Sequence, residues 1–159
     1  MTMEPEVTNA SASICDFCSI IAGESAAEVI YETASTISFL PLNPATYGHT
    51  LVVPKNHVRD IWEINLEAAN ELMAATLQVA HGIRLALKPE GLNLINSSGA
   101  VATQTIFHLH IHLVPRWEND RVGKIWPPDR PLPEAVREEL AEGMREGIET
   151  ARRSRLPSQ

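Results

Sequence analysis

The sequence predicts an α+β domain with a mainly antiparallel sheet. Three observations point there. Residues 65 to 88 carry apolar side chains at helical spacing. Several short β-rich runs lie on either side of that stretch. Proline and glycine break the pattern between runs, so the strands are joined partly by tight turns.

Taken in order, residues 1–13 read as a polar, flexible tail. This stretch, "MTMEPEVTNASAS", is acidic and has no basic region followed by an apolar one. It is therefore not a secretory signal, and a cytoplasmic protein is expected. "DFCSIIAG" (16–23) predicts one or two helical turns stopped by Gly23. "EVIYET" (28–33) and "STISFL" (35–40) predict a hairpin, and Pro41 and Pro44 end it. "GHTLVVPK" (48–55) predicts a strand entered from a glycine turn and closed by Pro54.

From 65 to 88 the period changes. Leu66, Ala69, Leu72, Met73, Thr76, Leu77, Ala80, Ile83 and Leu87 share a helical stripe. Asn65 is the expected N-cap and "KPEG" the stop. "GLNLINSS" (91–98) predicts a strand, "GAVATQT" (99–105) a loop, and "IFHLHIHLV" (106–114) a strand. "PPDRPLP" (127–133) precedes a last helix over about 134–153, whose arginines suit its C-terminal end.

The chain has 159 residues, 44% hydrophobic and 21% charged, which suits a globular domain with a real core. No apolar run approaches a membrane span. A net charge of −7 argues against binding to a nucleic acid polymer or an anionic membrane. It leaves room for a small anionic substrate, for which Lys55, Arg59, Arg116 and Arg121 are candidate contacts. The only cysteines, Cys15 and Cys18, form a Cys-x-x-Cys pair that suggests metal or redox chemistry. Asn96-Ser97-Ser98 matches a glycosylation pattern, which has little weight without secretion.

"HLHIHLVPR" (108–116) places three of the six histidines at alternate positions. On a strand, His108, His110 and His112 share one face, and Phe107, Leu109, Ile111 and Leu113 share the other, which is expected to be buried. Successive imidazoles then start about 7 Å apart at their Cα atoms, close enough to meet one phosphate or one metal. Spacing leaves both chemistries open: a three-histidine metal site that activates water, or a histidine nucleophile with neighbouring phosphate ligands.

"HLHIHLV" resembles the His-φ-His-φ-His-φ-φ motif of the histidine triad (HIT) family. "CDFCSIIAGE" resembles the N-terminal segment of many bacterial members. "YGHTLVVPKNHV" resembles the family's Gly-His-Thr strand and its Pro-Lys-x-His, and "ATQTIFHLHIHLVPR" its loop and catalytic strand. The similarity runs in order from about residue 14 to 117. It implies a five-stranded, mainly antiparallel HIT-like fold with one long helix over residues 14–127. A C-terminal helix and tail follow at 128–159, and two copies are expected to join their sheets as a homodimer.

The resemblance also implies chemistry: cleavage or transfer of a nucleoside monophosphate from an NMP–X substrate. His110 would be the nucleophile, forming a covalent nucleotidyl-histidine. The His108 carbonyl would fix its tautomer, and His112 would contact phosphate oxygens. Gln104 and Thr105 match a Gln-Ser/Thr pair that holds the phosphate and bridging oxygen. His49 matches a histidine that supports the triad. Members with Cys-x-x-Cys here bind a structural zinc, which assigns Cys15, Cys18, His57 and His108 as its ligands.

Some positions depart from the family pattern. Pro41 stands where an acidic residue commonly binds the ribose, and Asn43 is the nearest replacement. Ser97 stands where Asn or Gln often approaches the phosphate, and Thr103 replaces a glycine. Asn43, Ser97 and Thr103 are thus carried as nucleotide-binding candidates with His49 and His112. These departures keep two other readings open: a nucleotide-binding regulatory protein with little turnover, and metal-dependent hydrolysis by the triad. His81 is expected to serve a packing or surface role. Relatives can bring a C-terminal segment to the partner subunit's site, so Trp117 and Trp126 are candidates equally to stack on a base and to pack under the last helix.

Overall fold

The computed structural model describes residues 15–154; the tail expected over 1–13 lies outside them. The chain divides into two compact units, one ending at Gly123 and the other beginning at Lys124.

The first unit is built on a five-stranded antiparallel sheet in the order β1-β2-β3-β5-β4. Its strands are β1 (Glu28–Glu32), β2 (Thr36–Leu40), β3 (Thr50–Pro54), β4 (Gly91–Ile95) and β5 (Ile111–Arg116). Helix α1 (Asp16–Ile21) precedes them, and α2 (Leu66–Leu87) connects β3 to β4. β1 and β2 form the expected hairpin, with Glu32 opposite Ile37.

The period-two alternation of β3 builds two cores. Val52 faces α2 and packs with Leu72, Ala75, Val79, Ile83, Leu109 and Leu113. Leu51 and Val53 face the opposite way and pack with Phe17 of α1, Ile37 and Phe39. Burial on both faces explains why β3 reads as an unbroken apolar run. Each fully buried Leu, Val or Phe contributes roughly 1.5–3 kcal/mol to the sandwich.

The 22-residue α2 is the element that periodicity defined best. The Asn65 side chain accepts from the Ala68 N–H at 2.9 Å, the expected N-cap. The helix ends at Lys88, which is left-handed with φ 50°.

Two local expectations need correction. The strand predicted over 106–114 starts at Ile111 and runs to Arg116. Residues 106–110 approach the sheet outside the regular ladder, anchored where the Leu109 N–H donates to the Val58 carbonyl at 2.7 Å. Phe107 is also not buried as strand alternation required; it is 38% exposed, with the Arg59 guanidinium 4.7 Å over its ring. Within 99–105, a single 3-10 turn spans Ala100–Ala102.

The second unit carries α3 (Glu134–Ser154), matching the predicted last helix, with Arg152 and Arg153 in its final turn. No helix among the described residues is long and apolar enough to cross a membrane.

Candidate functional site

The site forms where the approach to β5 passes the start of β3. Gly48 admits this geometry. Its φ is +77°, and a side chain there would collide with Leu87 of α2. The turn delivers His49 to the sheet face that also carries Leu51, and Leu51 pairs with His112. His49 and His112 are therefore diagonal cross-strand neighbours, within reach of long side chains.

Three imidazoles cluster here. The His110 ring centroid lies 4.7 Å from that of His112, and the His112 centroid lies 5.1 Å from that of His49. Hydrogen bonds set their tautomers. The Ala45 N–H donates to His49 Nδ1 at 3.0 Å, so His49 carries its proton on Nε2. That proton is donated to His112 Nδ1 at 2.9 Å, so His112 presents an Nε2–H. His110 donates its Nδ1–H to the His108 carbonyl at 2.7 Å, leaving a lone pair on Nε2.

The environment keeps these rings neutral at physiological pH. Burial lowers the pKa of His110 against the smaller opposing effect of the His108 carbonyl. Burial, then His110 and His49, bring His112 down to about 4. Burial, then His110, lowers His49. The cluster is thus a neutral acceptor beside a neutral donor, as attack on an electrophile by an uncharged imidazole requires.

His108, fully buried, turns away from this group. Its Nε2–H donates to the Pro54 carbonyl at 2.8 Å, which leaves Nδ1 as a free ligand atom. That nitrogen lies 3.5 Å from Cys15 Sγ and 3.6 Å from Cys18 Sγ; His57 Nδ1 lies 3.3 Å from Cys18 Sγ. All four ligand atoms lie within 4.8 Å of one another. A tetrahedron built on Zn–S and Zn–N bond lengths has edges of about 3.5 Å, so the donor set fits such an ion. Burial, followed by Cys15, pushes the Cys18 thiol up, a cost that a coordinated cation would offset. Among the described residues this is the group of cysteine, histidine and acidic side chains that converges as a metal site, and it takes only His108 from the triad.

The other candidates fall elsewhere. Gln104 is buried and its amide is committed to backbone. Its Oε1 accepts from the Gly99 N–H at 2.7 Å, and its Nε2 donates to the carbonyls of Arg59 at 2.8 Å and Ile106 at 3.2 Å. Thr105 and Asn43 are exposed and Ser97 is half-buried. Thr103 is exposed in the left-handed region, with φ 67°. The candidate cations do not assemble: Lys55 pairs with Glu32, Arg59 with Asp60, and Arg116 with Asp120. His81 is exposed on α2. One contact at the site escaped the sequence. Asn96 Nδ2 donates to the His110 carbonyl at 2.9 Å, and Ser98 Oγ donates to Asn96 Oδ1 at 3.1 Å. The only signal was an Asn at the exit of a strand.

The family model described as the HIT domain matches residues 22–119. The chain belongs to the HIT family. Among curated relatives, Protein hit of Bacillus subtilis is 39% identical over 113 residues, covering 70% of this chain and 78% of that protein. The adenylylsulfatase HINT3 of Arabidopsis thaliana is 36% identical over 106 residues, covering 67% of this chain and 54% of HINT3. A Streptococcus mutans UA159 crystal structure superposes with TM-score 0.79 at 38% identity, covering 87% of both chains. A zinc-bound histidine triad protein from Mycobacterium smegmatis superposes with TM-score 0.66 at 36% identity, covering 74% of this chain and 85% of that one. The five-stranded antiparallel sheet with its long helix is thus the HIT fold.

Proposed function

We propose that this HIT protein is a nucleoside monophosphate hydrolase or transferase that works through a nucleotidyl-His110 intermediate. The observation that carries the reading is the 2.7 Å bond from His110 Nδ1–H to the His108 carbonyl, which leaves Nε2 as the only available nucleophilic atom of that ring. In the first step Nε2 attacks the α-phosphorus, an N–P bond forms, and the P–X bond breaks with its electron pair leaving on X. The positive charge gained by the ring is shared with the His108 carbonyl through Nδ1–H. His112 Nε2–H donates to phosphate oxygens as charge redistributes. Water or another acceptor then attacks phosphorus, the N–P bond breaks, and neutral His110 is regenerated with release of the NMP group and a proton.

Around this core, Thr105 supplies a hydroxyl to the phosphate or bridging oxygen. The Gln104 amide acts by holding the 99–105 loop in shape, and the exposed loop backbone faces the phosphate. Asn43, Ser97 and Thr103 border the nucleoside. Cys15, Cys18, His57 and His108 hold a structural zinc that supplies rigidity and keeps His108 out of the reaction. The ligand set is closed by four protein donors, which favours this over metal-activated water at the triad. The same reading makes the protein a cytoplasmic homodimer, for which β4, an edge strand of the sheet, presents Leu94 at 49% exposure.

The test is rapid mixing with adenylyl sulfate or an adenosine phosphoramidate labelled at phosphorus, followed by denaturing quench. Acid-labile label on His110, lost in His110→Ala, is expected. Tight nucleotide binding without labelling favours the regulatory reading instead.

A further inference from the structure

Phe17 lies between the two cysteines of the Cys-x-x-Cys turn and is 4% exposed. Its ring meets three others. The Phe39 centroid is 5.4 Å away, that of His108 is 5.8 Å away, and that of His110 is 5.1 Å away at an interplanar angle of 88°. The last contact is nearly perpendicular, the edge-to-face geometry that aromatic quadrupoles favour.

His110 is therefore held at more than its hydrogen-bonded nitrogen. The Nδ1–H bond to the His108 carbonyl fixes one atom. Phe17 and His112 pack against the ring, at centroid distances of 5.1 Å and 4.7 Å. A ring fixed by one bond alone can still swing about its Cβ–Cγ axis, which breaks that bond and lets the proton exchange between Nδ1 and Nε2. Packing on the ring removes that freedom.

Phe17 is also tied to the cysteine–histidine cluster by sequence. Cys15 and Cys18 lie two residues before it and one after it, and both approach His108 Nδ1. His108 in turn supplies the carbonyl that His110 uses. One short turn thus reaches the nucleophile by two routes, through the backbone of His108 and through the ring of Phe17.

We propose that Phe17 is a positioning residue that holds the His110 imidazole in its attacking orientation and mechanically couples the Cys-x-x-Cys turn to it. The claim rests on His110 being the nucleophile. Phe17 acts by restricting the ring that attacks.

The test is Phe17→Leu, prepared with saturating zinc and compared with wild type and with Ile37→Val. Ile37 belongs to the same apolar cluster as Phe17, so its variant controls for loss of packing. Two quantities are read: kcat and KM for AMP release from adenylyl sulfate, and the imidazole 15N signals of His110 in the free protein. Wild type is expected to show one protonated-type Nδ1 and one unprotonated-type Nε2. Phe17→Leu is expected to average the two signals and lower kcat about tenfold or more, with KM within about twofold, while Ile37→Val leaves both unchanged. A His110 15N pair unchanged in Phe17→Leu, or a kcat within about twofold of wild type, overturns the proposal. Should Phe17→Leu fail to fold, Phe17→Met carries the same two readouts. The 15N measurement needs no turnover, so it separates failure of this proposal from failure of the proposed activity.

Discussion

His49 Nε2 stands 2.9 Å from His112 Nδ1, and that single bond decides which nitrogen of His112 carries a proton. His49 itself is fixed by the Ala45 amide. A backbone N–H therefore sets, through two rings, the donor available to a substrate. We expect His49→Ala to lower kcat about 10- to 100-fold, because His112 then samples both tautomers. KM should change far less. Steady-state kinetics on an adenylyl substrate checks this, and a kcat equal to wild type would refute the relay.

The same cluster makes stability pH-dependent. His112 is brought from 6.5 to about 4 by burial, then by His110 and His49, which face it. The folded protein thus resists a proton that the unfolded chain accepts. This contribution is complete above pH 6.5 and is lost as pH falls from there toward about 4, where the folded state also protonates. Solvent screening of this partly exposed ring keeps the contribution of the one group below about 3 kcal/mol. Urea midpoints should fall across that window, and His112→Asn should flatten the slope.

The cysteine–histidine cluster predicts about one zinc per chain by elemental analysis. Cys15→Ser and Cys18→Ser should lose the metal and unfold at lower temperature. Chelation of wild type should produce the same drop in Tm. A metal content near zero in protein purified without chelator would argue against the site.

Two backbone positions predict opposite effects. Thr103 is β-branched and left-handed, so Thr103→Gly should stabilise by about 0.5–1 kcal/mol through relief of strain. Gly48 is also left-handed and lies against Leu87, so Gly48→Ala should destabilise by about 2 kcal/mol or more and displace His49. Urea denaturation of both variants decides the signs.

The long helix, the hairpin and the cysteine pair were legible because each has a local signal, whereas His57 and His108 joined that pair only through the family resemblance. The α2 stripe follows its period, Asn65 caps it, and Cys-x-x-Cys announces itself by spacing. The beginning of β5 was not legible. Alternating histidines and apolar residues look like a strand whether or not a neighbour is present to bond them, and residues 106–110 have none in register. The exposure of Phe107 follows from the same error. The role of Gln104 came from the family's Gln-Ser/Thr pair, but what an amide bonds to depends on which carbonyls the fold brings within 3.2 Å of it. Asn96 was missed for that reason too: its partner lies 14 residues away.

The late start of β5 has a chemical consequence. In a regular ladder, carbonyls lie in the plane of the sheet and side chains stand off it, so an imidazole has no route to the oxygen two residues upstream. Because pairing begins only at Ile111, the backbone at His108 is free to turn that oxygen toward the Nδ1–H of His110. Extending the ladder back by a few residues would add stability and cost His110 its proton acceptor.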